Sequence, residues 1–279
     1  MGLELRPIDA HSVQQLWALI NANPVRHTYV ASRLEQHGLA GITRRTLEII
    51  GAFDGDQLES AMLFGANLIP IETSQESQKL FADVLARQGR RCSSIVGAAN
   101  EVHQLWGMLE PHWGAARAIR GNQPVMMTQS RSALPIDDRV QYSSLMNLDV
   151  LFPACVAMFT HEVGLSPLER GGGISYRNRI SELISNRRSF VRIDNDQATF
   201  KAEVGCVGAG VAQLQGVWVS PDSRGQGIGR HALATVLKYV LQDIAPTVSL
   251  YVNDFNRNAI GMYEKVGFKQ VDSFATVLF

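Results

Sequence analysis

The sequence has few cysteines, and none of them form a pattern. Its 279 residues contain three, Cys92, Cys155 and Cys206, and each is isolated within an apolar segment. An odd, scattered set is not typical of a disulfide framework, and it lacks the paired spacing of a cysteine metal site. We therefore expect reduced core thiols and no bound metal.

The chain also lacks an excess of either charge and any long hydrophobic run. Lysine plus arginine and aspartate plus glutamate number 26 each, so net charge favours neither a nucleic-acid nor an anionic membrane partner. No apolar run approaches the ~18 to 20 residues that span a bilayer, and Met1 to Ala10 lacks the basic and apolar regions of a signal peptide. We expect a cytoplasmic protein without a membrane segment; its oligomeric state is not indicated.

What the chain does contain is enough apolar residues, 46%, for two cores. Ser130 to Asp138 has Pro135, paired acids and no periodicity, and it is the predicted boundary between domains 1–135 and 136–279. Apolar periodicity predicts α-α-β-β-α-β-α-β for the first domain, starting at Val13 and with one long strand from Leu58 to Ile69. It predicts β-α-α-β-β-β-α-β-α-β for the second. The similar orders suggest an old duplication, although no residue-level repeat accompanies them.

A glycine-rich segment lies between an apolar strand and a helix in the second domain. It reads Arg224-Gly225-Gln226-Gly227-Ile228-Gly229 and follows Val217-Trp218-Val219. Such a turn presents unpaired N–H groups and the positive end of the helix dipole to an anion, and pyrophosphate is the expected guest. By itself the pattern is weak, since glycines that open a helix also occur in plain turns.

A second cluster follows the next predicted strand: Asn256, Ala259, Tyr263, Gly267 and Phe268. Together the two motifs resemble the acetyl-CoA-dependent acyltransferases of the GNAT superfamily, over about Arg139 to Phe279. The whole chain also resembles an actinobacterial group in which a GNAT domain follows a poorly characterised N-terminal domain.

The resemblance implies two tandem GNAT-like α/β (α+β) folds. Each would be a mixed, mostly antiparallel twisted sheet flanked by helices, with a splayed parallel strand pair at the CoA site. Unpaired N–H and C=O groups of splayed strands suit the amides of pantetheine. The implied acetyl-CoA contacts are Val217, Trp218, Val219, Arg224, Gly225, Gln226, Gly227, Ile228, Gly229, Asn256, Ala259 and Tyr263.

Acyl transfer to an amine needs a proton for the departing thiolate and a group that takes the amine proton. The resemblance makes Tyr263 the general acid, unless its ring merely packs against the preceding strand. Glu203 is the candidate base, because alternating apolar neighbours predict that its carboxylate faces a cleft; alternatively it is an exposed strand residue or a neighbour of Lys201. Asn256 contacts CoA or caps the helix expected near Asn258.

Residues near the loop Arg170 to Gly173 are expected to line the acceptor site. His161 and Glu162 end the preceding helix, and the arginines that follow the loop would clamp an acidic acceptor or simply be solvated. In the first domain the corresponding segment, Ile69 to Glu76, has no glycine and carries two carboxylates. We expect no CoA binding there.

The sequence thus predicts a two-domain N-acetyltransferase that moves an acetyl group from acetyl-CoA to an amine by direct attack. The acceptor would be a small-molecule amine or a peptide or protein amine. The alternative is a non-catalytic protein that binds or senses acyl-CoA.

Overall fold

The computed structural model describes residues 2–43 and 47–279, which form two compact units. Unit 1 contains the described residues up to Val125 together with Tyr251–Asn256 and Gln270–Phe279. Unit 2 contains Met126–Leu250 and Arg257–Lys269. The last residues of the chain therefore lie in unit 1, whereas the sequence analysis grouped them with residues 136–279.

The first half of the chain alternates helices with short strands. Its elements are β1 Glu4–Pro7, α1 Val13–Ala22, α2 Pro24–Thr43, β2 Glu48–Asp54, β3 Gln57–Phe64, β4 Asn67–Ile71, α3 Gln75–Gln88, β5 Ser94–Ala98, α4 Ala99–Trp113 and β6 Ala118–Thr128. Helix α2 is interrupted at Gly38, where φ is 61°. The β2–β3 hairpin turns at Gly55, whose φ of 58° is the left-handed conformation predicted for this turn.

The second half follows in the predicted order. Its elements are β7 Val140–Tyr142, α5 Leu148–Val163, α6 Gly173–Ser185, β8 Ser189–Asp194, β9 Gln197–Gly208, β10 Val211–Val219, α7 Ile228–Asp243, β11 Thr247–Tyr251, α8 Arg257–Val266 and β12 Lys269–Leu278. Helix α5 ends at Val163, and the residue that follows, Gly164, is left-handed and donates its N–H to the Thr160 carbonyl.

Two predictions for the first half were wrong. Periodicity missed β1, which is only four residues long. The long strand expected from Leu58 to Ile69 is two strands, β3 and β4, which are separated by a bend at Gly65 and Ala66. With these corrections the first half has the order β-α-α-β-β-β-α-β-α-β, the same order as the second.

Each unit contains a mixed, mostly antiparallel sheet. In unit 1 the neighbouring strands are β1-β2-β3-β4-β5-β12-β6, and β4 and β5 are parallel. Strand β12 is antiparallel to β5, with Phe274 opposite Ala98. In unit 2 the order is β7-β8-β9-β10-β11, and β10 and β11 are parallel. The sheet composition predicted for both domains is therefore confirmed.

Helices cover each sheet with apolar side chains. In unit 1, α3 and α4 contribute Phe81, Leu85, Leu105 and Trp106 to a cluster that also contains Val277. In unit 2, Leu151 and Cys155 of α5 and Ile180 of α6 pack with Val191 and the half-buried Trp218. Among the described helices, none is long and apolar enough to cross a bilayer.

Candidate active site

Strands β10 and β11 of unit 2 separate part of the way along their length. Their register runs from Val211 opposite Thr247 to Gln213 opposite Ser249. Strand β10 continues beyond this point to Val219, and it still pairs with β9, with a register shift between Gln215 and Trp218. The predicted splayed parallel pair is therefore present. It leaves Val217, Trp218 and Val219 half-buried on the side that has left β11.

The register shift falls at Gly216, a residue that the sequence analysis did not select. Its φ is 56°, and a Cβ at this position would lie 2.8 Å from Met158 Cε and 2.9 Å from Lys201 Nζ. Glycine is therefore needed both for the backbone conformation and for the close approach of these side chains. An isolated glycine within an apolar strand pattern was the signal that indicates a bulge here.

The segment after β10 is a compact loop with two left-handed glycines. Residues Pro221–Ser223 form a single 3₁₀ turn, and Arg224 Nε donates to the Val219 carbonyl over 3.1 Å. Gln226 Nε2 donates to the Asp222 carbonyl over 2.9 Å. Gly225 and Gly227 have φ of 76° and 78°. These internal bonds hold the loop in shape without using its glycine N–H groups.

Helix α7 begins directly after this loop without a side-chain cap. Its N-cap is Gly227, which offers no side chain to the N–H groups of the first turn. Gly229 is buried, and a Cβ there would come within 2.9 Å of Met262 Sδ and 3.0 Å of Val219 Cγ2. Residues Gly225 to Gly229, here called the cradle, join a loop with left-handed glycines to an uncapped helix start, an arrangement that favours the binding of an anion.

The corresponding helix of unit 1, α3, begins in the opposite way. Ser74 caps it, and its side chain accepts from the Ser77 N–H in a reciprocal capping box. Before the cap, Glu72 has φ of 53°, and its Oε1 lies 2.9 Å from His27 Nε2 and 3.1 Å from Arg26 Nη1. Hydrogen bonding to His27 and the charge of Arg26 outweigh desolvation and lower the pKa of Glu72 to about 2.

Two further carboxylates complete this polar network in unit 1. Arg26 Nε is 2.8 Å from Asp272 Oδ2, and Glu101 Oε2 accepts from the N–H and hydroxyl of Thr73. Burial raises the pKa of Glu101, although the bonds from Thr73 oppose that shift. The start of α3 is thus capped by Ser74 and Ser77 and flanked by paired carboxylates, whereas the start of α7 has no side-chain cap.

Tyr263 lies on α8 and is 7% exposed. Its ring packs edge-on against Phe268, with centroids 5.9 Å apart. Burial, with a smaller contribution from the charge of Glu162, raises the pKa of the Tyr263 hydroxyl, so the group keeps its proton at neutral pH. A protonated phenol is the form that a general acid requires.

Alternation along its strand predicted that Glu203 faces an open cleft, and this prediction was wrong. It is 2% exposed, and its Oε1 lies 2.6 Å from the Nζ of the fully buried Lys201. Gln215 Nε2 donates to its other oxygen over 3.2 Å. The alternative reading, a neighbour of Lys201, describes this position. Burial would lower the pKa of Lys201, but the charge of Glu203 outweighs it and the net shift is upward.

The loop and helices at the expected acceptor side are partly engaged in local contacts. Arg177 forms an ion pair with Asp149 and lies over the Phe152 ring at 5.3 Å, and Arg187 lies over the Tyr142 ring at 4.1 Å. These contacts favour a packing role for the two arginines over the binding of an acidic acceptor. The side chain of Arg170 lies outside the described part of the structure, and Glu162 is exposed at the end of α5.

The remaining sequence candidates lie near the start of α8. Asn256 is exposed and donates its N–H to the Asn253 carbonyl over 2.9 Å, and Ala259 lies in the first turn of the helix, which begins at Arg257. Their contacts with CoA stay predictions. The described residues hold no group of three or more side chains that would bind a metal ion.

Two protein-family models match parts of the chain. Residues 188–268 match the acetyltransferase (GNAT) family, and residues 47–151 match DUF4081, a domain of unknown function. Over 56 residues the chain is 38% identical to the peptidyl-lysine N-acetyltransferase YjaB of Salmonella typhimurium. That segment is 20% of this chain and spans only 35% of the relative.

Solved structures resemble the entire chain. An acetyltransferase of the GNAT family from Colwellia psychrerythraea gives a TM-score of 0.58 at 14% identity, over 99% of both chains. A tandem GNAT protein from the clavulanic acid biosynthesis pathway gives 0.55 at 14% identity, over 99% of this chain and 98% of that one. At such identity the likeness is one of fold, and it confirms the tandem fold predicted from the sequence.

Proposed function

We propose, on the premise that residues 188–268 belong to the acetyltransferase (GNAT) family, that residues 136–279 form the catalytic domain of an acetyl-CoA-dependent N-acetyltransferase. The observation that carries the proposal is the uncapped end of α7 beside the splayed strands β10 and β11. This arrangement offers backbone donors to a pyrophosphate and, a few residues away, the edge of β10 that β11 has left to an amide-bearing arm. Both belong to unit 2.

In this proposal acetyl-CoA lies along β10, with its pyrophosphate at Gly225 to Gly229 and its pantetheine arm beside Val217 to Val219. Arg224 and Gln226 hold the loop through the bonds described above. Asn256 and Ala259 are further proposed contacts. Residues 1–135 would bind no CoA, since their equivalent helix end is capped and preceded by Glu72.

The chemistry we propose is direct attack of an amine on the thioester, with Tyr263 as the acid that protonates the departing sulfur. The Tyr263 hydroxyl keeps its proton at neutral pH, as an acid must, but burial raises its pKa and so makes it a weaker donor; the role is supported by the family resemblance. Glu203 remains a candidate for the base, but its carboxylate already neutralises the buried Lys201 and would have to leave that pair in every turnover.

The acceptor we propose is a lysine side chain of a peptide or protein. The curated relative's name refers to peptidyl-lysine, and the family match supports an amine acceptor in general. The net charge of zero gives no preference for strongly acidic or basic partners. Because the family match supports only an amine acceptor in general, the test below also includes a small-molecule amine.

The test combines acetyl-CoA calorimetry with release of free CoA in the presence of amines. The amines are a peptide with one lysine and a blocked N-terminus, a peptide with a free N-terminus, and spermidine. We expect one acetyl-CoA per chain and transfer to at least one amine. Binding without transfer to any of them would favour the acyl-CoA sensor, and absence of binding would refute both functions.

A matched pair of variants locates the binding site. Gly225→Asp places a negative charge in the cradle, while Gly55→Asp does so in the β2–β3 turn of unit 1; the two glycines have φ of 76° and 58°, and both have open space around them. Aspartate tolerates this conformation comparatively well, so both variants should fold alike. We expect acetyl-CoA affinity to fall by roughly 10- to 100-fold only for Gly225→Asp. Equal affinities would contradict the proposed cradle.

A further inference from the structure

Helix α5 runs beside β10 in the direction of the splay. Cys155 Sγ lies 3.8 Å from Glu203 Oε1, and Glu203 is opposite Gln215 on β10. One turn later, Met158 Cε reaches the Cα side of Gly216, where a Cβ would be only 2.8 Å away. This face of α5 therefore covers Glu203 and the irregularity of β10 at Gly216, where the separated part of the strand begins.

Glu162 occupies the next turn on this same face. Residues four apart on a helix are neighbours, and one turn advances by about 5.4 Å. Glu162 thus lies about one turn beyond Met158, on the face of α5 that contacts β10 at Gly216. It is exposed there, in the last turn before Gly164 ends the helix.

The charge of Glu162 is felt by ionisable groups on three other elements. It contributes to raising the pKa of Tyr263 on α8, of Tyr176 on α6 and of Lys201 on β9, although burial is the larger influence on each. Arg179 on α6 also acts on Tyr176, with the opposite sign, and His161 is the chain neighbour of Glu162. The carboxylate therefore acts electrostatically on the proposed acid.

We propose that Glu162 is the general base that receives the proton of the acceptor amine. The inference rests on the proposed function and names a residue of the same site. A base must return its proton to water after every turnover, and an exposed carboxylate can do so. Glu203 is nearly inaccessible to water and holds the charge of Lys201, so it is poorly placed for this step.

The proton balance of this step is as follows. The ammonium gives one proton to Glu162, which passes it to water, and the freed lone pair attacks the acyl carbon. The carbon–sulfur bond breaks, its electron pair goes to sulfur, and sulfur takes the proton of the Tyr263 hydroxyl. The second proton lost by nitrogen restores that hydroxyl. The products are an amide, CoA thiol and one released proton.

The test measures kcat, KM and acetyl-CoA affinity between pH 6 and pH 10, with the lysine peptide as acceptor. The variants are Glu162→Gln, Glu162→Asp and, as a matched exposed glutamate of unit 2, Glu182→Gln. We expect Glu162→Gln to lose about 100-fold in kcat at pH 7 with acetyl-CoA affinity unchanged. The loss should shrink toward pH 10, because the amine then deprotonates without help. Glu162→Asp should retain part of the rate, and Glu182→Gln all of it.

The outcomes separate this inference from the proposed function. Transfer by the wild type with the same kcat and pH profile in Glu162→Gln would overturn the role of Glu162 alone. Equal losses in Glu162→Gln and Glu182→Gln would also overturn it. A wild type that binds acetyl-CoA but transfers nothing to any of the three amines would overturn both.

Discussion

Removing one partner of the Lys201–Glu203 pair should destabilise the protein far more than removing both. The two side chains are 0% and 3% exposed and their charged atoms are 2.6 Å apart. Deleting one charge of such a pair costs about 3–5 kcal/mol, while replacing both with uncharged groups is often nearly neutral. The loss of stability in a variant without Lys201 has an upper limit, because Glu203 can take up a proton and become neutral. At pH 7, protonating an ordinary glutamate costs about 4 kcal/mol.

We therefore expect Lys201→Met to lower the free energy of unfolding by about 3–4 kcal/mol at pH 7. The upper limit falls by about 1.4 kcal/mol for each pH unit, so the deficit should be about 1 kcal/mol at pH 5. The deficit grows with pH because the folded variant favours a neutral Glu203. A neutral carboxyl is readily available at low pH and becomes more costly to form as pH rises. Urea unfolding at both pH values measures the deficit.

The double variant Lys201→Met with Glu203→Gln tests whether the two charges are energetically coupled. We expect it to unfold within about 1 kcal/mol of the wild type, which gives a coupling energy of several kcal/mol. Single losses that simply add in the double variant would refute an energetically coupled pair. If the double variant also retains acetyl transfer, Glu203 has no part in the proton transfer. Loss of transfer in a stable double variant would return that role to Glu203.

Three further predictions follow from single positions. Gly216→Ala should lower the free energy of unfolding by about 2–4 kcal/mol, because it adds a clash with Met158 and Lys201 to the strain of a positive φ. The control Gly55→Ala, at φ of 58° with open space, measures the strain alone and should cost about 1 kcal/mol. Equal losses of stability in the two variants would contradict the packing argument. Tyr263→Phe should lower kcat by about 100-fold without weakening acetyl-CoA binding, and an unchanged kcat would exclude it as the acid. Glu72→Gln should lose about 1–3 kcal/mol at pH 7 compared with the exposed Glu59→Gln. Because the pKa of Glu72 is lowered to about 2, this stabilisation is present above pH 4.5 and disappears as pH falls through 2, which acid titration of the two variants measures.

The sequence predicted most of the fold because the strongest signals are local. The α7 face is apolar at regular intervals, and the glycines before it indicate a loop, so the positions of the loop and of the start of the helix were predicted correctly. Strand β1 was missed since four residues carry too little periodicity to identify a strand. The long strand in the first half was misread because apolar residues continue across the bend at Gly65.

The side-chain pairings of the site were harder to predict, since they depend on which strands are neighbours. Alternation placed Glu203 correctly on one face of β9, but it carries no information about what covers that face. In the structure α5 covers it, so the expected cleft residue is buried beside Lys201. The charge of Glu162 likewise acts on Tyr263, which lies about a hundred positions later in the chain. No local pattern relates them.

The position of β12 has a consequence for the order in which unit 1 can fold. Phe274 lies opposite Ala98 and Leu278 opposite Ser94, so the strand that pairs with β5 comes about 180 residues later in the sequence. A pairing between such distant segments forms slowly, because the long intervening loop has to close first. We expect the β5–β12 pairing to be among the last steps in the folding of unit 1.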